Sequence, residues 1–171
     1  MHRIASPTLT VGILAAVLMA FATPAVAQES TPVDGAWVVT SWTNPDGTTL
    51  DQPQPGLFVF SQTHYSMMFA LGAESRARYE GEELTDEEMV TAYGTFVANS
   101  GRYEVSGNEL TTRAYVAKDP NYMGDWPENA YTYTFEIDAE GMLHLTFSPD
   151  FGPLGGPTAI LRQVDGQPAP W

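Results

Sequence analysis

The chain has 171 residues, no cysteine, and 21 acidic against 7 basic side chains, a formal net charge of −14 at pH 7. A field of that sign repels nucleic acid and anionic lipid. Without cysteine no disulfide can form, so stability has to come from packing alone.

Residues 1–27 read as a secretory signal. Arg3 supplies a basic start, 11–21 an apolar stretch, and Ala25-Val26-Ala27 a small-residue cleavage site ahead of Gln28. Thr23 and Pro24 interrupt the apolar stretch, which falls short of the roughly 20 residues of a spanning helix. An uncleaved anchor is the alternative, and no cysteine follows for lipid attachment. Cleavage near Ala27 predicts a secreted or periplasmic product with no membrane insertion. Removing 27 of 171 residues leaves 144, with six basic and 21 acidic side chains. That length suits one domain burying about two-thirds of its unfolded surface. The expected organisation is a leader over 28–33, a domain over 34–165 and a tail over 166–171.

Within the domain, short alternating runs rich in Val, Phe, Tyr and Thr lie between Gly, Pro, Asn and Asp. Candidate strands are 36–43, 57–61, 63–71, 101–106, 109–117, 131–138, 142–148 and 158–164. Pro45-Asp46-Gly47, Ser106-Gly107-Asn108 and 138–141 carry turn chemistry, so sequential strands are expected to be neighbours. Between the third and fourth runs, Thr85 and Glu88 have capping-box spacing, with Leu84 and Met89 placed as a hydrophobic staple. The stripe Met89, Tyr93, Phe96, Val97 predicts a helix over 86–98, packed on the sheet or across one end of a barrel. The fold class expected is mostly β: an up-and-down antiparallel barrel of about eight strands with one helix. Closure removes exposed strand edges. At this strand number the interior is either filled by side chains or holds one small ligand.

Gly35-Ala36-Trp37 opens the first strand, and Gly-x-Trp there resembles the signature of lipocalins and the wider calycin group. The succession GAWVVTSW, PDG, QPGLFVFSQTHYSMMFA, FVANSGRYEVSGNELTTRAYVAKDPNYMG and ILRQV is similar to the bacterial and fungal lipocalin-like domain family over most of the chain. The resemblance implies a lipocalin-like barrel with a small apolar ligand and transfers no catalytic residue. It also implies that Arg162, on the last strand, packs on Trp37 and helps close the barrel floor; a cation over an indole is worth ~0.5–2 kcal/mol. The acidic run over 80–88 and the Gly/Pro-rich 149–157 loop depart from the family pattern.

Period-two alternation puts Tyr131, Tyr133, Phe135 and Ile137 on one face, and Leu143, Leu145 and Phe147 on one face of the next strand. With Trp37, Val39, Tyr65, Met67, Phe69, Tyr103 and Val105 they make an aromatic interior. That interior reads as a pocket for a flat or greasy molecule oriented by Tyr hydroxyls, or as an ordinary filled core. Arg113, beside Tyr115, can face inward and pair a ligand carboxylate. The opposite parity puts Leu110, Thr112, Ala114 and Val116 inside and Arg113 in solvent. Candidate ligand contacts are Tyr65, Met67, Tyr103, Arg113, Tyr115, Tyr131, Tyr133 and Phe135.

No cofactor or metal is expected. The 119–125 segment begins like a calcium loop, but Met123 stands where a polar ligand belongs and Ala130 where a Glu does. His64 and His144 sit on separate strands without a third partner, and no HExxH, Gly-x-Ser-x-Gly or phosphate-cradling loop occurs. Glu104 and Glu136 can act as acid or base only if buried, and alternation puts Glu136 outside. Three functions fit: an exported carrier or scavenger of a small apolar or aromatic molecule, a barrel enzyme steering an isomerisation or cyclisation, and a filled barrel serving as an interaction domain.

Overall fold

The computed structural model describes residues 30–79, 81, 83–125, 128–149 and 156–164. The expected signal and tail lie outside the described residues. The strands are β1 (Gly35–Thr43), β2 (Thr49–Leu50), β3 (Gly56–Ser61), β4 (His64–Ala70), β5 (Phe96–Ser106), β6 (Glu109–Ala117), β7 (Ala130–Ile137), β8 (Leu143–Phe147) and β9 (Thr158–Gln163). From β3 onward each strand pairs antiparallel with the next, and β9 returns to pair with β1, whose other edge holds β3. Eight strands therefore close into a barrel, and β2 is a short addition against the end of β1.

Two bulges decide which side chains enter the barrel. The β1–β9 register slips between Val39 and Ser41, and Thr40 spends its hydroxyl on the Ile160 carbonyl at 3.0 Å. The inward series on β1 thus runs Trp37, Val39, Trp42, all buried. On β5–β6, Ser100 faces Val116 but Gly101 faces Ala114, which leaves Tyr115 as the extra residue. Leu110, Thr112 and Ala114 are buried, while Tyr115 is 50% and Val116 60% exposed. Val116 therefore departs from simple alternation because the bulge reverses the parity of its strand. Gly101 permits this crossing: a Cβ there would lie 2.0 Å from the Arg113 carbonyl oxygen and 2.8 Å from Ala114 Cα.

The core fills the barrel with Phe58, Phe60, Tyr103, Tyr133, Phe147, Leu143, Leu145 and Leu161, each under 2% exposed. Burial of each such side chain contributes roughly 1.5–3 kcal/mol. Ile137, expected inward, ends β7 at 36% exposure. The end of the barrel carrying turns 62–63, 107–108 and 138–142 is closed by the chain ahead of β1. Val33, expected within a leader, is fully buried, and its carbonyl accepts the Trp37 indole N–H at 2.8 Å. The Asp34 carboxylate accepts from the Thr31 amide (2.9 Å), the Gln62 amide (3.1 Å) and the buried Tyr103 hydroxyl. Gln62 sits at φ 58° in the β3–β4 turn, a conformation that costs a non-glycine residue about 1 kcal/mol and is held here by Asp34.

The helix α1 (Asp86–Gly94) begins where the capping box places it: Glu88 N–H donates to Thr85 Oγ1 at 3.2 Å and Thr85 N–H to Glu88 Oε2 at 2.9 Å. It ends four residues earlier than expected. Phe96 and Val97 instead open β5, opposite Ala70 and Phe69 of β4. Gly94 weakens the helix there, while Thr95, Phe96 and Val97 favour the ladder. Nor does the stripe pack: Met89 is 46% and Tyr93 54% exposed, and no α1 residue is buried. Polar ties hold α1 instead, from Tyr93 Oη to the Lys118 carbonyl (2.9 Å) and from Lys118 Nζ to the Tyr93 carbonyl (2.7 Å).

Two glycines should respond oppositely to a methyl group. Gly101→Ala is expected to cost about 2 kcal/mol or more and lower Tm by roughly 5 °C. Gly94→Ala, where the added Cβ meets nothing within 4 Å, is expected to gain about 0.5–1 kcal/mol. Thermal melts followed by circular dichroism measure both. A Gly101→Ala protein as stable as its parent would contradict the close crossing of β5 and β6.

Candidate functional site

The floor end is plugged, so the site lies at the opposite end, where connections 44–55, 71–85, 118–129 and 148–157 join the strands. A pocket of about 350 Å³ opens there. Val39, Trp42, Leu50, Pro53, Phe69 and Leu71 give it an apolar lining, and Asn44, Thr48 and Gln54 add polar groups. Trp42 reaches it through the Thr40 bulge. Its indole N–H donates to Asn44 Oδ1 at 3.1 Å, and its ring lies 5.3 Å from Phe69 and 5.2 Å from Phe147. β2 sets Leu50 opposite Trp42, partly buried against the same core. A second, more polar hollow of about 440 Å³ lies beside the connection into β7.

Deeper in the same half of the barrel, four tyrosines converge. Tyr65 and Tyr133 are buried, and Thr112 is within hydrogen-bonding reach of both. Tyr122, from the 3₁₀ turn Pro120–Met123, stacks on Tyr131 with ring centroids 4.6 Å apart. Tyr133 packs edge-on against Phe147 at 5.1 Å, which joins the tyrosines to Trp42. The inward positions facing them on β5 and β6 include Gly101 and Ala114, both small and buried. Beside these, Asn99 is 5% exposed, aligned with Met67 on one side and Ala117 on the other. Its side-chain amide makes no hydrogen bond to another described residue, while the buried side-chain atom without a partner among the described residues is Asn129 Oδ1.

Of the sequence-derived candidates, Tyr65, Tyr131 and Tyr133 come together in this cluster, and Met67 stands beside Asn99. Tyr103 is buried at the floor, where its hydroxyl meets Thr31 Oγ1 at 2.8 Å, and Phe135 lies toward the floor, its amide bonded to the Asn108 carbonyl. Arg113 and Tyr115 do not join them. Arg113 faces Arg102 on the outer surface and reaches Glu104 at 3.6 Å, and Tyr115 lies beside His64, rings 5.9 Å apart. Nor does Arg162 cover Trp37: it stands opposite Val38, on the other face of β1, and Gln163 takes the place opposite Trp37. Floor closure rests instead on Val33, Asp34 and Tyr103.

Asn99 escaped the sequence reading because it lay between the helix expected to end at 98 and the strand expected to begin at 101; its signal is a polar residue at an inward position between Val97 and Gly101. Trp42 escaped because alternation without the bulge points it outward. Tyr122 sat in a segment weighed only for calcium. Among the described residues, no group of three or more His, Cys, Asp or Glu is placed to hold a metal ion. His144 instead bonds Asp138 at 2.8 Å.

A family model described as a lipocalin-like domain matches residues 34–149. Among solved structures, a lipocalin-like protein from Bacteroides uniformis is similar, with TM-score 0.46 and 17% identity over 78% of this chain and 100% of that one. An uncharacterized protein from Bacteroides eggerthii gives TM-score 0.43 and 12% identity over 77% and 98%. No curated protein matches the chain.

Burial holds these phenols protonated. It pushes Tyr65 up to about 12, Tyr103 up to about 12 with the Asp34 carboxylate adding to the effect, and Tyr122, Tyr131 and Tyr133 upward as well. A phenol held above its ordinary value of 10.0 contributes stability that is complete below that pH and lost as pH rises through about 12. Tyrosinate absorbance of this set should therefore rise together with loss of near-ultraviolet circular dichroism between those pH values. Complete ionisation of the protein's eight tyrosines with the dichroism intact would contradict the buried cluster.

Proposed function

The chain belongs to the lipocalin-like domain family, and we propose that it is an exported carrier or scavenger that holds a small apolar or aromatic molecule in the mouth of its barrel. The observation that carries this reading is the partly enclosed pocket of about 350 Å³ lined by Val39, Trp42, Leu50, Phe69 and Leu71, whose Trp42 ring packs on Phe147 and through it on Tyr133 of the tyrosine cluster. A site of this kind, apolar with a few polar groups that fix orientation, is the usual form of a small-molecule pocket. Pocket volumes near the low end of the ~300–1,000 Å³ range suit a compact ligand. Export rests on the N-terminal signal pattern, and the acidic, cysteine-free sequence is compatible with it.

The converging phenols support a second reading, an enzyme that steers an isomerisation or cyclisation. Protonated phenols beside an apolar wall can donate to a substrate oxygen and hold it in one conformation. Product formation from a bound substrate, abolished in Tyr65→Phe, distinguishes this from storage, in which the ligand is released unchanged.

Titration with the neutral dye Nile red tests the pocket. Leu71→Glu puts a charge into the half-buried lining and is expected to weaken dye binding about tenfold or more, whereas Val90→Glu on exposed α1 should leave it unchanged. Equal binding by parent and Leu71→Glu would sink the assignment. The mass of the protein recovered outside the cytoplasm should correspond to a chain beginning at Gln28; retention of residues 1–27 would overturn export by cleavage.

A further inference from the structure

The interior of the barrel is as notable for its lack of cations as for its aromatic rings. All six basic residues beyond Arg3 lie among the described residues, and none lines either pocket. Arg102 and Arg113 bracket Glu104 on the outer surface. Arg76 and Lys118 are engaged with α1 and the rings of Phe96 and Tyr93. Arg162 faces outward with Val38, and Arg78 is exposed. The groups that do face the interior are uncharged: the Tyr65, Tyr131 and Tyr133 phenols, Thr112, and the Asn99 amide, which is 95% buried without a hydrogen-bonding partner among the described residues.

We propose that this barrel selects uncharged, hydrogen-bonding apolar molecules and rejects carboxylates, with Asn99 and the neighbouring phenols receiving the ligand's polar end. This deepens the carrier reading and rests on it. The Asn99 amide offers both a donor and an acceptor, so a ligand that brings a carbonyl or hydroxyl gains a hydrogen bond there. A carboxylate meets a different balance. Phenols can donate to it, but with no counter-charge in the interior its desolvation is uncompensated. Asp119, close enough to disfavour charge on Tyr122 and Tyr131, adds repulsion at the mouth, and the net negative charge of the chain acts in the same direction.

Dodecanamide and dodecanoate have the same chain and nearly the same head-group shape and differ in charge. Displacement of Nile red at neutral pH should show the amide binding about tenfold tighter or more. Lowering the pH until the acid is neutral should close that gap. Asn99→Leu, which replaces the amide with an isosteric apolar group, should weaken dodecanamide binding about tenfold while preserving Nile red binding and the fold. Dodecanoate binding as tightly as the amide at neutral pH, or unchanged amide affinity in Asn99→Leu, overturns this proposal and leaves the carrier reading standing. If dye, amide and acid all fail to bind the parent protein, the carrier reading itself falls.

Discussion

β1 is hydrogen-bonded along both edges, to β3 on one side and β9 on the other, and the rest of the barrel depends on that double pairing. An eight-stranded antiparallel sheet left open would present two unpaired edges. Closure removes them, and in a cysteine-free chain it is hydrogen bonding and packing alone that hold the cylinder shut. The Thr40 bulge is part of the same device. By adding a residue to β1 it turns Trp42 inward at the mouth while Trp37 remains inward at the floor. One strand thereby supplies the rings at both ends of the interior.

The two ends use different chemistry. At the floor, the Asp34 carboxylate gathers Thr31, Gln62 and Tyr103 over a core of fully buried side chains, with the Val33 carbonyl occupied by Trp37. Donors and acceptors are matched there, and little space is left. At the mouth the aromatic rings meet a pocket, the inward positions on β5 and β6 are small, and the Asn99 amide makes no hydrogen bond to another described residue. A barrel filled at one end and incompletely satisfied at the other concentrates whatever binding capacity it has at the open end. The absence of interior cations then restricts the chemistry of what can enter.

Much of the fold was legible in the sequence because strand periodicity and turn residues are local signals. Gly107-Asn108 and 138–141 sit where the ladders reverse, the eight main strands lie close to their expected positions, and the capping box at Thr85 marks the start of α1. What was not legible depends on long-range pairing. The ladder between β4 and β5 converted the expected end of the helix into strand, and that exchange is what brings Asn99 inside. The β5–β6 bulge reversed the parity at Val116, and the β1–β9 register separated Arg162 from Trp37. The candidate site was half visible for the same reason. Tyr65, Tyr131 and Tyr133 follow from alternation, whereas Trp42, Asn99 and Tyr122 depend on bulges, helix length and a loop.

The central claim is that the mouth of this barrel holds a small, uncharged apolar molecule. Native mass spectrometry of the protein purified from its own source tests it most directly. A carrier should show an added mass of a few hundred daltons, in keeping with a pocket of about 350 Å³, that leaves as a neutral loss on collisional activation. A spectrum containing only the bare polypeptide mass, or an adduct that leaves as a carboxylate anion, would contradict it.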